Sequence, residues 1–198
     1  MASVVDLCNR ALDHLGAANI TSLTENSKEA RLCNGNFDDV RDAVLRSHPW
    51  NVGITRKALP KDSETPAFGF SFQFSLPTDP FCLRVLSFWN SNVNNDVAAY
   101  DSNVMFKIEG RKVLSNEDTC NIIYIGRITD TEQYDSLLNK AISARLAAEI
   151  AYNITGSNSI ASNMIALYEA RLKEAKGVDS MEGFPEQPQA DDFTNIRL

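Results

Sequence analysis

Apolar residues first recur at helical spacing. Val4, Cys8, Leu12 and Leu15 repeat every three or four positions across residues 3–15, with Val5, Leu7 and Ala11 widening the stripe. That spacing predicts an amphipathic helix stopped by Gly16. After a connector at residues 20–24, a second helix is expected from Asn26, which stands three residues before Glu29 in capping-box spacing. Cys33, Phe37, Val40 and Val44 share one face of it, while Arg31, Asp38, Asp39, Arg41 and Asp42 fall mostly on the other. The segment Arg41-Asp-Ala-Val-Leu-Arg-Ser-His-Pro-Trp50 closes this helix. A helix does not continue through its proline, and a run of different period starts at its tryptophan.

From Trp50 to Ile128 the period is two. Phe68, Phe70, Phe72, Phe74 and Leu76 alternate with small or polar residues, which predicts a half-buried strand with an aromatic face. Pro77-Thr-Asp-Pro80 breaks it. Further strands are expected at 52–59, 81–88, 104–108, 112–114 and 121–128, with Glu109-Gly110-Arg111 as a hairpin turn. Residues 90–103, rich in Asn, Ser and Asp, predict an exposed loop.

The helical period returns at Thr129, again in capping-box spacing with Glu132, and runs to Gly156. Ala141, Ala144, Ala147, Ala148 and Ala151 make this third helix slim. A fourth is expected from about Asn158 to Lys176, with Ile160, Met164, Leu167 and Leu172 inward and Gly177 as its stop. Residues 178–198 carry no period, two prolines, five acids and one base. Such a segment buries too little apolar surface to fold alone.

The order helix, helix, strands, helix, helix, tail predicts an α+β chain. Its economical form is a four-helix bundle built from both chain ends, with an inserted antiparallel β domain and an extended C-terminal tail. The expected boundaries are 1–49 and 129–177 for the bundle, 50–128 for the β domain and 178–198 for the tail.

Composition narrows the function. The 198 residues are 43% hydrophobic and 23% charged, ordinary for a folded soluble chain. No apolar run approaches the roughly 20 residues of a membrane span, and the N-terminal residues lack the pattern of a signal peptide. The expectation is a protein folded in a cytosol, without membrane contact. A net charge of −7 disfavours wrapping of nucleic acid but suits a surface past which DNA slides. Cys8, Cys33, Cys82 and Cys120 are isolated in sequence and read as reduced, buried thiols.

The search for chemistry points to no catalytic, cofactor-binding or metal-binding residue. The two histidines lack metal-ligand spacing, and His48, just past a helix, reads as a partner of the helix dipole. No glycine-rich phosphate loop occurs. Asp38, Asp39 and Asp42 read as a solvated helix face rather than a cation site. The phenylalanine stripe lacks the Lys and Arg that surround base-stacking aromatics, so it reads as core. Trp50 is expected to plug the junction between bundle and β domain, or to anchor an interface, with Arg46 and Arg56 flanking it. The tail has the format of a docking segment.

Together these residues resemble a known family. Ala11-Leu12 with Leu15-Gly16, Ile20-Thr-Ser-Leu23, Ala30, Arg41 with Leu45, Pro49-Trp50, and Arg56 with Leu59 follow one another in order. Phe74-Ser-Leu-Pro77 with Asp79 is similar to an aromatic-x-Leu-Pro-x-Asp motif, followed by Arg84-Val-Leu86. The chain resembles the tail tubular protein A family of short-tailed phages, the head-to-tail adaptors. It departs from the pattern at Val52-Gly53 and at Pro80-Phe81. The resemblance implies a non-enzymatic virion protein, assembled in the host cytoplasm into a ring of twelve copies. One face of the ring would bind the portal, the other the tail nozzle, and DNA would pass through the lumen without sequence-specific binding. It further implies that the tail reaches towards the portal, with Phe184, Phe193, Ile196 and Leu198 as contacts. Two other classes stay open: a small ligand-binding or enzymatic protein using the β domain, and a nucleic-acid-binding regulator.

Overall fold

The computed structural model describes residues 2–89 and 105–182. The loop expected at 90–103 and the tail contacts Phe184, Phe193, Ile196 and Leu198 lie outside the described residues.

The chain is mixed α+β: the described residues form four helices and two small three-stranded antiparallel sheets. The first helix, α1 (Val4–Leu15), is capped reciprocally: Asp6 N donates to Ser3 Oγ at 3.1 Å, and Ser3 N donates to Asp6 Oδ2 at 2.8 Å. Gly16 ends it in the left-handed conformation at φ 65°, where a side chain would be strained. The connector is clamped back on α1 by a two-way bond between Asn9 and the backbone of Ile20, at 2.8 and 2.9 Å. The second helix, α2 (Lys28–Arg46), is capped by Ser27, one residue later than the expected Asn26. Asn26 instead accepts a bond from Arg31.

Six strands follow: β1 (Ile54–Leu59), β2 (Phe72–Ser75), β3 (Cys82–Trp89), β4 (Phe106–Glu109), β5 (Lys112–Ser115) and β6 (Cys120–Gly126). They pair in the orders β1-β6-β3 and β2-β5-β4, all antiparallel. One core serves both sheets, built from Leu59, Phe74, Phe88, Val113, Ile122 and Tyr124 with their neighbours. The aromatic stripe reaches this core only at its end. Phe74 is fully buried and Leu76 nearly so, Phe70 and Phe72 are half-buried, and Phe68 is 89% exposed. The strand starts only at Phe72, because β2 pairs with β5 from Phe72 to Ser75 and no described strand pairs with residues 68–70.

Two helices complete the chain, α3 (Ser136–Thr155) and α4 (Asn158–Asp179). The helix expected from Thr129 is delayed. A short 3-10 turn at Thr131–Gln133 intervenes, and Asp135 caps α3 by accepting from Leu137 N and Leu138 N. The fourth helix runs through Gly177 rather than stopping there, since Asp179 is held in place by partners described below. In the helical layer α1, α2 and α4 each pack mainly against α3, and residues from both chain ends share one core. Among the described residues no helix is long and apolar enough to cross a membrane.

All four cysteines are buried free thiols. A hydrogen bond to Cys33 and burial push the Cys8 thiol up, and burial pushes Cys120 up to about 12. The Cys33 thiol, by contrast, is lowered by its hydrogen bond with Cys8, but all four are buried, so attack on any of them must await local opening. In the native protein iodoacetamide is expected to label none of the four within an interval that labels all four in urea. Mass spectrometry of the alkylated chain checks this.

Candidate functional site

The joint between the helices and the sheets starts at the end of α2. The last carbonyls of a helix have no helical partner and must find other donors. Val44 O receives Ser47 N at 3.1 Å, Ser47 Oγ at 2.8 Å and Trp50 Nε1 at 2.9 Å. Trp50 is fully buried, with its only polar group satisfied by that carbonyl. The His48 ring meets the Trp50 ring edge-on, with centroids 4.8 Å apart.

Asp179, at the end of α4, closes the joint from the far end of the chain. Its carboxylate accepts from Asn51 N at 3.1 Å and lies 3.2 Å from His48 Nε2. Its carbonyl accepts from Asn51 Nδ2 at 2.7 Å. Lys176 Nζ adds a bond to Ser47 O at 3.3 Å. Burial holds the His48 pKa below its usual 6.5, with help from Lys176 and Arg84, and the opposing pull of Asp179 does not offset it.

Beside the joint lies a cleft of about 550 Å³. Four arginines line it: Arg46 from α2, Arg84 from β3, Arg111 from the β4–β5 hairpin and Arg127 just after β6. The chain at residues 81–84 gathers them. Arg111 and Arg127 stack over the Phe81 ring, 3.9 and 4.4 Å from its centroid. Arg111 also donates to Pro77 O at 2.7 Å and Cys82 O at 3.3 Å. Arg46 donates to Leu83 O at 3.1 Å, and Arg84 to the carbonyl of Arg46 at 3.4 Å. The Asp79–Pro80 peptide bond just before this stretch is cis.

Among the described residues Asp42 is the single acid lining the cleft, and it is engaged twice. Arg127 Nε donates to its Oδ2 at 2.8 Å, and Arg41 Nε donates to its Oδ1 at 3.0 Å. Arg41 is itself buried and also bonds Asp38 at 2.8 Å. The acidic face expected of Asp38, Asp39 and Asp42 is thus partly internal. Asp38 is 78% exposed, but Asp42 is 21% exposed and reaches across to Arg127. Arg46, Arg84 and Arg111 form no ion pair with a carboxylate among the described residues.

Of the three junction residues expected from sequence, Trp50 fills the joint and Arg46 lines the cleft beside it. Arg56 is exposed on β1, the edge strand opposite Ile123 of β6, and does not line the cleft. Phe81, Arg84 and Arg111 appear in the sequence pattern only as motif or turn residues, and Arg127 and Asp179 not at all; none of the five carries a site role there. The one available signal was the run of arginines at strand ends and the hairpin, positions whose side chains face neighbouring loops. Among the described residues no cluster of three or more His, Cys, Asp or Glu has the arrangement of a metal site. The arrangement offers an anion three fixed guanidiniums without a carboxylate partner among the described residues, Arg46, Arg84 and Arg111, beside the Asp42-paired Arg127, in a concave, partly apolar setting.

Two predictions test the joint. Trp50→Phe is expected to cost about 1–2 kcal/mol, from a lost hydrogen bond and a small cavity, and Trp50→Ala about 3–5 kcal/mol. Urea unfolding followed by circular dichroism measures both. The second concerns pH. With its folded pKa below 6.5, His48 binds protons more weakly folded than unfolded. Its contribution to stability is then complete above the unfolded value and declines as pH falls below it. The drop in Tm between about pH 7.5 and about pH 5.5 should therefore be smaller in His48→Gln than in the parent.

Comparison with protein-family models and with curated proteins gives no match.

Proposed function

We propose that the chain is a structural ring component, a head-to-tail adaptor between a capsid portal and a tail nozzle that leaves a conduit for DNA. The observation that carries this reading is where the residues of the resemblance lie. Ala11, Leu12, Ala30, Leu45 and Trp50 belong to the helical core. Leu59, Phe74 and Leu76 belong to the core between the sheets. Arg41 sits buried between Asp38 and Asp42 beside the joint. The pattern therefore coincides with the two cores and their connection, the parts that set how the helical layer and the sheets are joined.

In this reading the four helices act as a bundle and pack side by side with copies in a ring of twelve. The C-terminal segment reaches the portal, with Phe184, Phe193, Ile196 and Leu198 as apolar contacts. The acidic balance of −7 keeps the lumen from holding DNA. The fully buried thiols and the ion-paired Asp42 are structural groups here, not reactive ones.

Electron-microscopy class averages of the protein mixed with its cognate portal ring test the reading. The expected result is an added ring of density with the portal's symmetry. Removal of residues 183–198 is expected to abolish that density while leaving the thermal midpoint of the chain in place. Portal particles that stay bare with the full chain would sink the proposal. A truncated chain that still attaches would remove the tail from it.

A further inference from the structure

We propose that the arginine cleft is a docking site for the acidic C-terminal segment of the same chain, residues 183–198. The inference rests on the cleft and concerns the free chain, in which no portal competes for the segment.

The first argument is charge. Arg46, Arg84 and Arg111 have their guanidiniums fixed by backbone carbonyls and by the Phe81 ring. Carbonyl bonds orient a guanidinium without cancelling its charge, and a fork of five donors leaves several N–H groups for a further acceptor. Asp42, the acidic residue at the cleft, is already shared between Arg41 and Arg127. Arg46, Arg84 and Arg111 are left without a carboxylate among the described residues and repel one another, and an incoming carboxylate relieves that repulsion. Residues 183–198 bring Glu186, Asp191 and Asp192, with Arg197 as the single base.

The second argument is shape and polarity. Leu76, Phe81 and Ile108 add apolar surface to the cleft. A site both cationic and apolar suits a peptide that alternates acids with large apolar residues. Asp191-Asp192-Phe193 has that composition, as do Phe184 and Glu186 around Pro185. A nucleic-acid backbone offers the charge without the apolar side chains, and the chain as a whole repels it at −7.

The third argument is reach. The end of α4 is tied to the end of α2 by Asp179 with Asn51 and by Lys176 with Ser47. Ser47 follows Arg46, a wall of the cleft. The end of α4 is therefore held within a few residues of a wall of the cleft. Nine residues lead from Glu182 to Asp191, a span of up to about 30 Å at roughly 3.3 Å per extended residue.

Paramagnetic NMR on the full chain tests the proposal. A nitroxide is placed on an introduced Thr194→Cys thiol, the four native thiols being buried. The expected result is strong broadening of the Leu83, Arg84 and Gly110 amides in the dilute protein. Neutralising the acids with Glu186→Gln, Asp191→Asn and Asp192→Asn alters no described residue, and should reduce the docked population about tenfold, each exposed pair contributing roughly two- to fivefold. Raising salt from about 0.1 M to about 1 M shortens the screening length from about 10 Å to about 3 Å and should act in the same direction. An Arg46→Gln, Arg84→Gln variant that keeps its thermal midpoint should lose the broadening as well. The proposal is overturned if those amides stay sharp in the parent. It is overturned equally if broadening appears only when spin label and isotope label sit on different chains, which would make the occupant a second copy. Broadening that survives neutralisation of the acids would also overturn it, since apolar contact alone would then explain the docking.

Discussion

Most of the helical layer depends on α3 being buried almost all the way round. Its inward residues include Leu138, Ile142, Leu146 and Ile150, interleaved with the small Ala141, Ala144, Ala147 and Ala151, all fully shielded. A helix with so wide an apolar surface, polar mainly at Lys140, Arg145 and Glu149, is stable only when neighbours enclose it. The alanines let α1, α2 and α4 approach closely, and the branched residues fill the spaces between. Because α1 and α2 touch each other sparingly, removing α3 would leave both with bare stripes. The N-terminal pair of helices therefore has no core of its own until the chain has passed through the sheets and returned.

That return has to be held in register, and the joint does so. Tyr134 packs into the helical core while its hydroxyl donates to Ile128 O, and Thr131 Oγ1 donates to Ala2 O at 2.6 Å. Asp179 then ties the last helix to the end of α2. The Thr131 and Asp179 bonds link positions 129 and 128 apart in sequence, and each of the three also satisfies a backbone or helix-end group that would otherwise be costly to shield. Trp50 is the point where the requirements meet: it fills volume, satisfies Val44 O, and turns the chain into the strands.

The sequence made the local elements legible because periodicity and caps are local properties. Val4 through Leu15 and the alanine-rich helix carried their pattern openly, and Gly16 and Gly156 both stop helices in the left-handed region. Boundaries that depend on tertiary partners were not legible. Gly177 reads as a stop, yet α4 continues because Asp179 is held by Asn51 and His48. Phe68 reads as core, yet it lies exposed because the pairing partner of β2 begins only opposite Phe72. The arginine cleft was invisible for the same reason. Its residues come from four separated places, and only the antiparallel pairing of β3 with β6 brings Arg84 and Arg127 near each other.

The cleft also shows why net charge is a weak guide to local chemistry. Acids outnumber bases by 26 to 19 along the chain, yet one concave site holds four arginines against one aspartate. Potential is set by nearby charges and by the low-dielectric walls that focus them, and distant surface carboxylates are screened within about 10 Å at moderate salt. The choice of arginine follows from the same geometry. Phe81 supports two stacked cations, and the carbonyls of Pro77, Cys82 and Leu83 accept bonds from planar forks. A lysine ammonium, compact and strongly hydrated, would have to shed water to rest on the ring and could not also reach two carbonyls with fixed directions. Weak hydration, a rigid donor fork and the Asp42 carboxylate on Arg127 therefore explain how four arginines share one cleft in a folded chain.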